Sequence, residues 1–299
     1  MTAAGGLRAQ GSRQVDPSSA ELAIALGRLD VAEAALYDAV ARTPREPSAR
    51  GMLGLFLAAR GKFLSGATLL DEALYFGADT ASVQTRQMNL YRWTGDYARI
   101  AALSALRLPA AMRDAYARAG SAVAGGAPSA TVKLRPNDAS GLGRISIEIG
   151  GVALPADVQP LADGLQLPSS IEIFSAIEPT GARGDTTWGV ARAVSIGGVT
   201  YGPVPVALVP SLSAARIGLD ILSRLVPTFD DKSHMLTVRA GRPAPTGTPY
   251  QILLGFPGVR FVAAEGSAPV FLHTPGGRAA LRGVRWTLDA ANGAIVVER

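Results

Sequence analysis

The sequence predicts a multidomain α + β chain, with an N-terminal α-solenoid of about three helix pairs followed by an all-β half. Three observations carry that expectation. Gly27, Gly61 and Gly95 recur at 34-residue intervals within a helix-periodic stretch. Segment 121–130, with Gly125, Gly126, Pro128 and Ser129, interrupts the helical pattern. Beyond it, period-2 alternation takes over, most cleanly where Ile145, Ile147 and Ile149 alternate with Ser146 and Glu148.

Composition sets the outer limits. The 299 residues are 48% apolar, enough for two domains with real cores. The absence of cysteine excludes disulfides, thiolate catalysis and zinc ribbons. With only His234 and His273, a multi-histidine metal site is not expected, so neither metal nor cofactor is predicted. The net charge of +5 comes from arginines scattered along the chain, which suits a solvated surface better than a nucleic-acid footprint. No apolar run approaches the ~20 residues of a membrane-spanning helix, so no transmembrane segment is expected. Residues 1–16 are read as a disordered N-terminal segment, and no signal-peptide hydrophobic region is visible.

The helical half is read as residues 17–120. After Gly27 come Ala32, Leu36, Ala39 and Pro44. Leu53, Gly54 and Leu57 precede Gly61, with Leu70 and Ala73 beyond it, and Met88 and Tyr91 precede Gly95. Small residues let paired helices approach, and large ones fill the groove between them. Period and residue types together resemble the tetratricopeptide repeat, and an alanine-rich helix over about 109–119 is expected to cap the array. Such an array presents either a concave peptide-binding surface or a brace for the following domain.

In the β half, 131–135 and 144–149 alternate and are expected to pair as a hairpin around a Pro136–Gly143 turn. Gly150-Gly151 after the isoleucine strand, the Ile196-Gly-Gly-Val-Thr200 turn and Ile217-Gly-Leu-Asp-Ile-Leu222 together resemble one lobe of the retropepsin-like aspartic proteases, over 131–240. The resemblance implies an acid-protease fold with a short helix over 154–167, a flap hairpin and the strand pair after it over 184–208, a helix over 217–225 and a closing hairpin with a polar turn over 228–238. Residues 241–249 read as a second linker. Residues 250–299 read as a C-terminal β segment, a shortened second lobe in which Val270-Phe-Leu-His-Thr-Pro-Gly276 resembles a second active strand with His273 in place of an aspartate.

Aspartic proteolysis needs two carboxylates sharing one proton. The family's Asp-Thr-Gly is absent, and Glu148-Ile149-Gly150 stands where the resemblance puts it. The catalytic candidates are therefore Glu148 and His273, and Gly150, Gly151, Thr187 and Trp188 are the expected peptide-binding residues. The expected function is a peptide- or protein-binding module on a degenerate protease fold. The alternative is an active endopeptidase or related hydrolase pairing Glu148 with a carboxylate of a dimer partner. Partners follow from these readings: a peptide or protein, a second copy of the chain, or an envelope assembly. By resemblance the expected compartment is the periplasm, otherwise the cytoplasm.

Overall fold

The computed structural model describes residues 17–136, 141–160, 164–170, 176–241, 245–255, 258–264 and 266–298. The segment expected to be disordered, 1–16, lies outside them. An N-terminal helical region packs against a C-terminal β region with a curled, half-barrel sheet. The helices are α1 (Pro17–Ala25), α2 (Leu29–Arg42), α3 (Pro47–Ala59), α4 (Phe63–Tyr75), α5 (Thr80–Thr94), α6 (Tyr97–Ala101) and α7 (Ala110–Ala119). Several starts are fixed locally: the Glu46 side chain accepts from Ser48 N–H with Pro47 in the first turn, and Asp79 accepts from Ser82 N–H at 2.7 Å.

Helices α1, α3 and α5 end the same way. The N–H groups of Gly27, Gly61 and Gly95 bond back three residues, and those of Arg28, Lys62 and Asp96 bond back five, to Ala23, Leu57 and Tyr91. This is the left-handed glycine cap that satisfies a helix's last carbonyls. The caps also face the β half. A Cβ on Gly27 would lie 1.9 Å from the Ser267 carbonyl oxygen, one on Gly61 2.1 Å from that of Ala290, and one on Gly95 2.2 Å from the Tyr201 hydroxyl. The 34-residue spacing thus marks three points where the helical region touches the sheets. Between α3 and α4, Gly54 and Gly66 bring the helix backbones together, as a Cβ on Gly66 would sit 2.8 Å from the Gly54 carbonyl oxygen.

The β region begins inside the expected linker, because Gly-rich β1 (Val123–Gly126) and the start of β2 (Ser129–Lys133) are strands. Gly126 permits this: a Cβ there would strike the Gly198 carbonyl oxygen at 2.4 Å. The next strands are β3 (Gly143–Ile149), β4 (Val152–Gln159), β5 (Leu165–Pro168), β6 (Ile177–Arg183), β7 (Thr186–Ala191), β8 (Val194–Ile196), β9 (Val199–Gly202), β10 (Val204–Val209) and β11 (Ala215–Gly218). After α8 (Leu219–Leu222) come β12 (Thr228–Asp230), β13 (Met235–Arg239), β14 (Thr248–Gly255), β15 (Gly258–Phe261), β16 (Val270–Phe271), α9 (Pro275–Ala280), β17 (Arg285–Asp289) and β18 (Ala294–Glu298).

Among the described residues these strands form two sheets. One has the order β1-β9-β8-β3-β4-β11-β5-β10-β7-β6, and the other β16-β15-β14-β18-β17-β12-β13-β2. Two expectations are corrected here. β2 pairs with β13 along its whole length and meets the start of β3 only through the Arg135–Arg144 bridge, so 131–135 and 144–149 are not a hairpin. The helix expected over 154–167 is instead β4 and β5, because Pro155 and Pro160 disfavour a helix and Leu154, Ala156 and Val158 alternate toward the core. The hairpin β12–β13 forms as expected, and β17 pairs with β12, so residues beyond 250 share a sheet with that hairpin.

The core is continuous across both regions. One cluster runs from Leu70, Tyr97 and Ile100 of the helices to Ile147, Ile217 and Leu288 of the strands. A second joins Leu29, Leu36 and Leu57 to Leu253 and Val262.

Candidate functional site

Strands β4 and β11 run parallel, Ile217 beside Val158 and Gly218 beside Gln159. β5 lies on the other side of β11. β4 and β5 therefore flank β11, whose end leads into α8. Gly164, just before β5, ties the three together. Its N–H donates to both carboxylate oxygens of Asp220, at 3.1 and 3.0 Å, and its carbonyl accepts from Gly218 N–H at 2.8 Å. Asp220 sits in the first turn of α8, where a carboxylate also suits the helix dipole, and it is only 5% exposed.

Near Asp220 lies a polar junction between helices and sheet. Tyr97 of α6, Tyr201 of β9 and Arg224 just after α8 bring the two hydroxyls and Arg224 Nε into buried positions, none aligned with a hydrogen-bond partner among the described residues. They still act on one another. Burial first, then the neighbouring Tyr201 and the Asp220 charge, push the Tyr97 phenol well above its ordinary value. Burial pushes Tyr201 up to about 12, with Arg224 pulling in the opposite direction.

The remaining buried polar side chains of β4 are Asp157 and Gln159. Arg144 holds Asp157 with two bonds, Nε to Oδ1 at 2.7 Å and Nη2 to Oδ2 at 3.2 Å, and this pairing raises the Arg144 guanidinium further. In the sequence Asp220 stands only within the Ile217–Leu222 motif, without a role of its own, and Asp157 is not singled out. The signal for Asp157 was two polar residues, 157 and 159, on what alternation reads as the solvent face of β4, a face the fold covers.

The residues singled out from sequence lie apart from Gly164 and Asp220. Glu148 is exposed in the middle of the β3–β4–β8 surface, opposite Ala153 and Ser195. His273 follows β16 at the edge of the other sheet, its ring 5.2 Å from Phe271 and its Nδ1 buried without a partner among the described residues. The two candidates are thus in different sheets, and no hydrogen bond among the described residues joins them. Gly150 and Gly151 are the left-handed turn of the β3–β4 hairpin, with φ of 59° and 82°, and a Cβ on Gly150 would overlap Ala176. Thr187 and Trp188 lie in β7, where Trp188 pairs with Ala207 and Gly181 and packs half-buried on the core. Gly150 thus approaches the start of β6 and Trp188 its middle. No group of three or more potential metal ligands occurs among the described residues.

Among solved structures, the chain is similar to a retropepsin-like aspartic protease from Rickettsia conorii at 16% identity, covering 40% of this chain and 92% of that one with a TM-score of 0.27. No protein-family profile and no curated protein matches it.

Proposed function

We propose that this protein is a peptide- or protein-binding module, in which tetratricopeptide-like helix pairs brace a retropepsin-like β lobe that does not cleave peptides. The carrying observation is the commitment of the buried carboxylates around the β4–β11 pair. Asp157 is neutralised by Arg144, and Asp220 directs both oxygens at the Gly164 N–H. Aspartic proteolysis instead asks for two carboxylates that share one proton and face water. The brace reading is supported by the three glycine caps that abut Ser267, Ala290 and Tyr201.

The test is a peptide-library cleavage assay from acid to neutral pH on wild type, Glu148→Gln and Asp220→Asn at matched concentration. The expected result is no cleavage by any of the three, with peptide binding retained. Cleavage by wild type that disappears in Glu148→Gln and rises with dimer concentration would replace this reading with a carboxylate peptidase acting across a dimer.

A further inference from the structure

A cleft of about 430 Å³ opens on the eight-stranded sheet, within the range of small-molecule sites. Its floor is aromatic: Phe229 of β12 and Trp286 of β17 stack with centroids 4.2 Å apart and planes 16° from parallel, and Trp286 is only 4% exposed. Leu142 and Leu281 add apolar wall. The charged part of the lining is Arg278, Arg282 and Asp231. No ion pair or side-chain hydrogen bond engages either arginine among the described residues, whereas Asp231 accepts from Gly283 N–H at 2.6 Å. That bond ties the β12–β13 turn to the segment after α9, and Leu134 N–H to the His234 carbonyl, at 2.8 Å, fixes the opposite wall.

Two guanidinium groups beside one carboxylate leave the lining with one net positive charge. The match is a monoanion attached to an apolar body. A phosphate dianion fits less well, because Asp231 opposes the second charge. Guanidinium groups bind a carboxylate through paired N–H donors, and an aromatic floor favours a flat or branched apolar group. We propose that this cleft binds an apolar monocarboxylate, with its carboxylate at Arg278 and Arg282 and its apolar part over Phe229 and Trp286. The chemistry is shared by a peptide's C-terminal residue and by a free apolar acid. The inference rests on the cleft alone and stands whether or not the proposed function does.

The experiment titrates the full chain with N-acetyl tripeptides ending in leucine or phenylalanine, each as free acid and as amide, and with decanoate. Binding is read by calorimetry and by the fluorescence of Trp286, with Trp286→Phe identifying its share of the signal. The expected result is saturable binding of at least one acid, weakened at least tenfold in the amide, by added salt and in Arg278→Ala/Arg282→Ala. Both arginines are exposed, so the thermal midpoint of that variant should stay at the wild-type value. Binding of peptide acids alone assigns the source to a C-terminus, and binding of decanoate alone to a free acid; either supports the site. Equal binding of acid and amide, unchanged affinity in the double variant, displacement by millimolar inorganic phosphate, or no binding of any acid would overturn it.

Discussion

Asp220 shows how much a single residue's role depends on its surroundings. Its carboxylate is buried and bonded to the Gly164 N–H, so removing it leaves that donor without its acceptor just before β5. A buried donor left unsatisfied costs about 1–3 kcal/mol. Asp220→Ala should therefore lower stability by that amount in urea denaturation. Glu148→Gln, on an exposed strand face, should change it by no more than about 0.5 kcal/mol. Equal losses in the two variants would refute the assignment of Asp220 as the acceptor that holds Gly164. The Arg144–Asp157 pair is a weaker source of stability, because its arginine is 41% exposed and water screens it.

At the scale of elements, the glycine caps do two jobs that substitution can separate. Gly61 and Gly77 both have left-handed backbone, φ 75° and 97°, and both close a helix with the same pair of backbone bonds. They differ in what lies beyond. A Cβ at Gly61 meets the Ala290 carbonyl oxygen and the Gly293 nitrogen, whereas one at Gly77 meets nothing within 4 Å. Gly77→Ala should cost only the left-handed penalty of roughly 1–2 kcal/mol. Gly61→Ala should cost that plus the clash, and so exceed it by about 1 kcal/mol or more. Thermal midpoints of the two variants measure the difference, and equal shifts would mean that the cap does not press on the β region. Helix α7 makes a similar junction: Thr180 Oγ1 donates to the Ala111 carbonyl at 2.7 Å, and Arg118 pairs with Glu178 at 2.6 Å.

At the scale of the whole molecule, the apolar core crosses from helices to sheets, and the Tyr97–Tyr201–Arg224 junction lies on that crossing. Because both phenols are raised in the folded protein, folding holds protons that the unfolded chain releases near its ordinary tyrosine value. The stability they contribute is complete below about pH 10. It is lost as pH climbs toward about 12, where Tyr201 ionises in the folded state. Urea midpoints from pH 8 upward should therefore hold and then fall, and Tyr97→Phe/Tyr201→Phe should flatten the alkaline limb. An identical fall in the double variant would place the cause elsewhere.

The sequence by itself determined the order of the two regions, the helix pairs punctuated by Gly27, Gly61 and Gly95, and the hairpin β12–β13. These follow from local rules: 3.6- and 2-residue periodicity, glycine caps and turn residues act within a few positions of themselves. It could not determine which strands lie side by side. Residues 131–135 read as partners of 144–149 because they are near in sequence, yet β2 closes on β13 about a hundred positions away. The candidate site was hidden for the same reason. Glu148 stood out because it stands where the resemblance puts a catalytic aspartate, whereas Asp157 and Asp220 gain their roles only when Arg144 and Gly164 are brought to them by pairing in space. Exposure is the other property that only the tertiary structure decided, since alternation marks two faces of a strand but cannot say which of them the rest of the chain will cover.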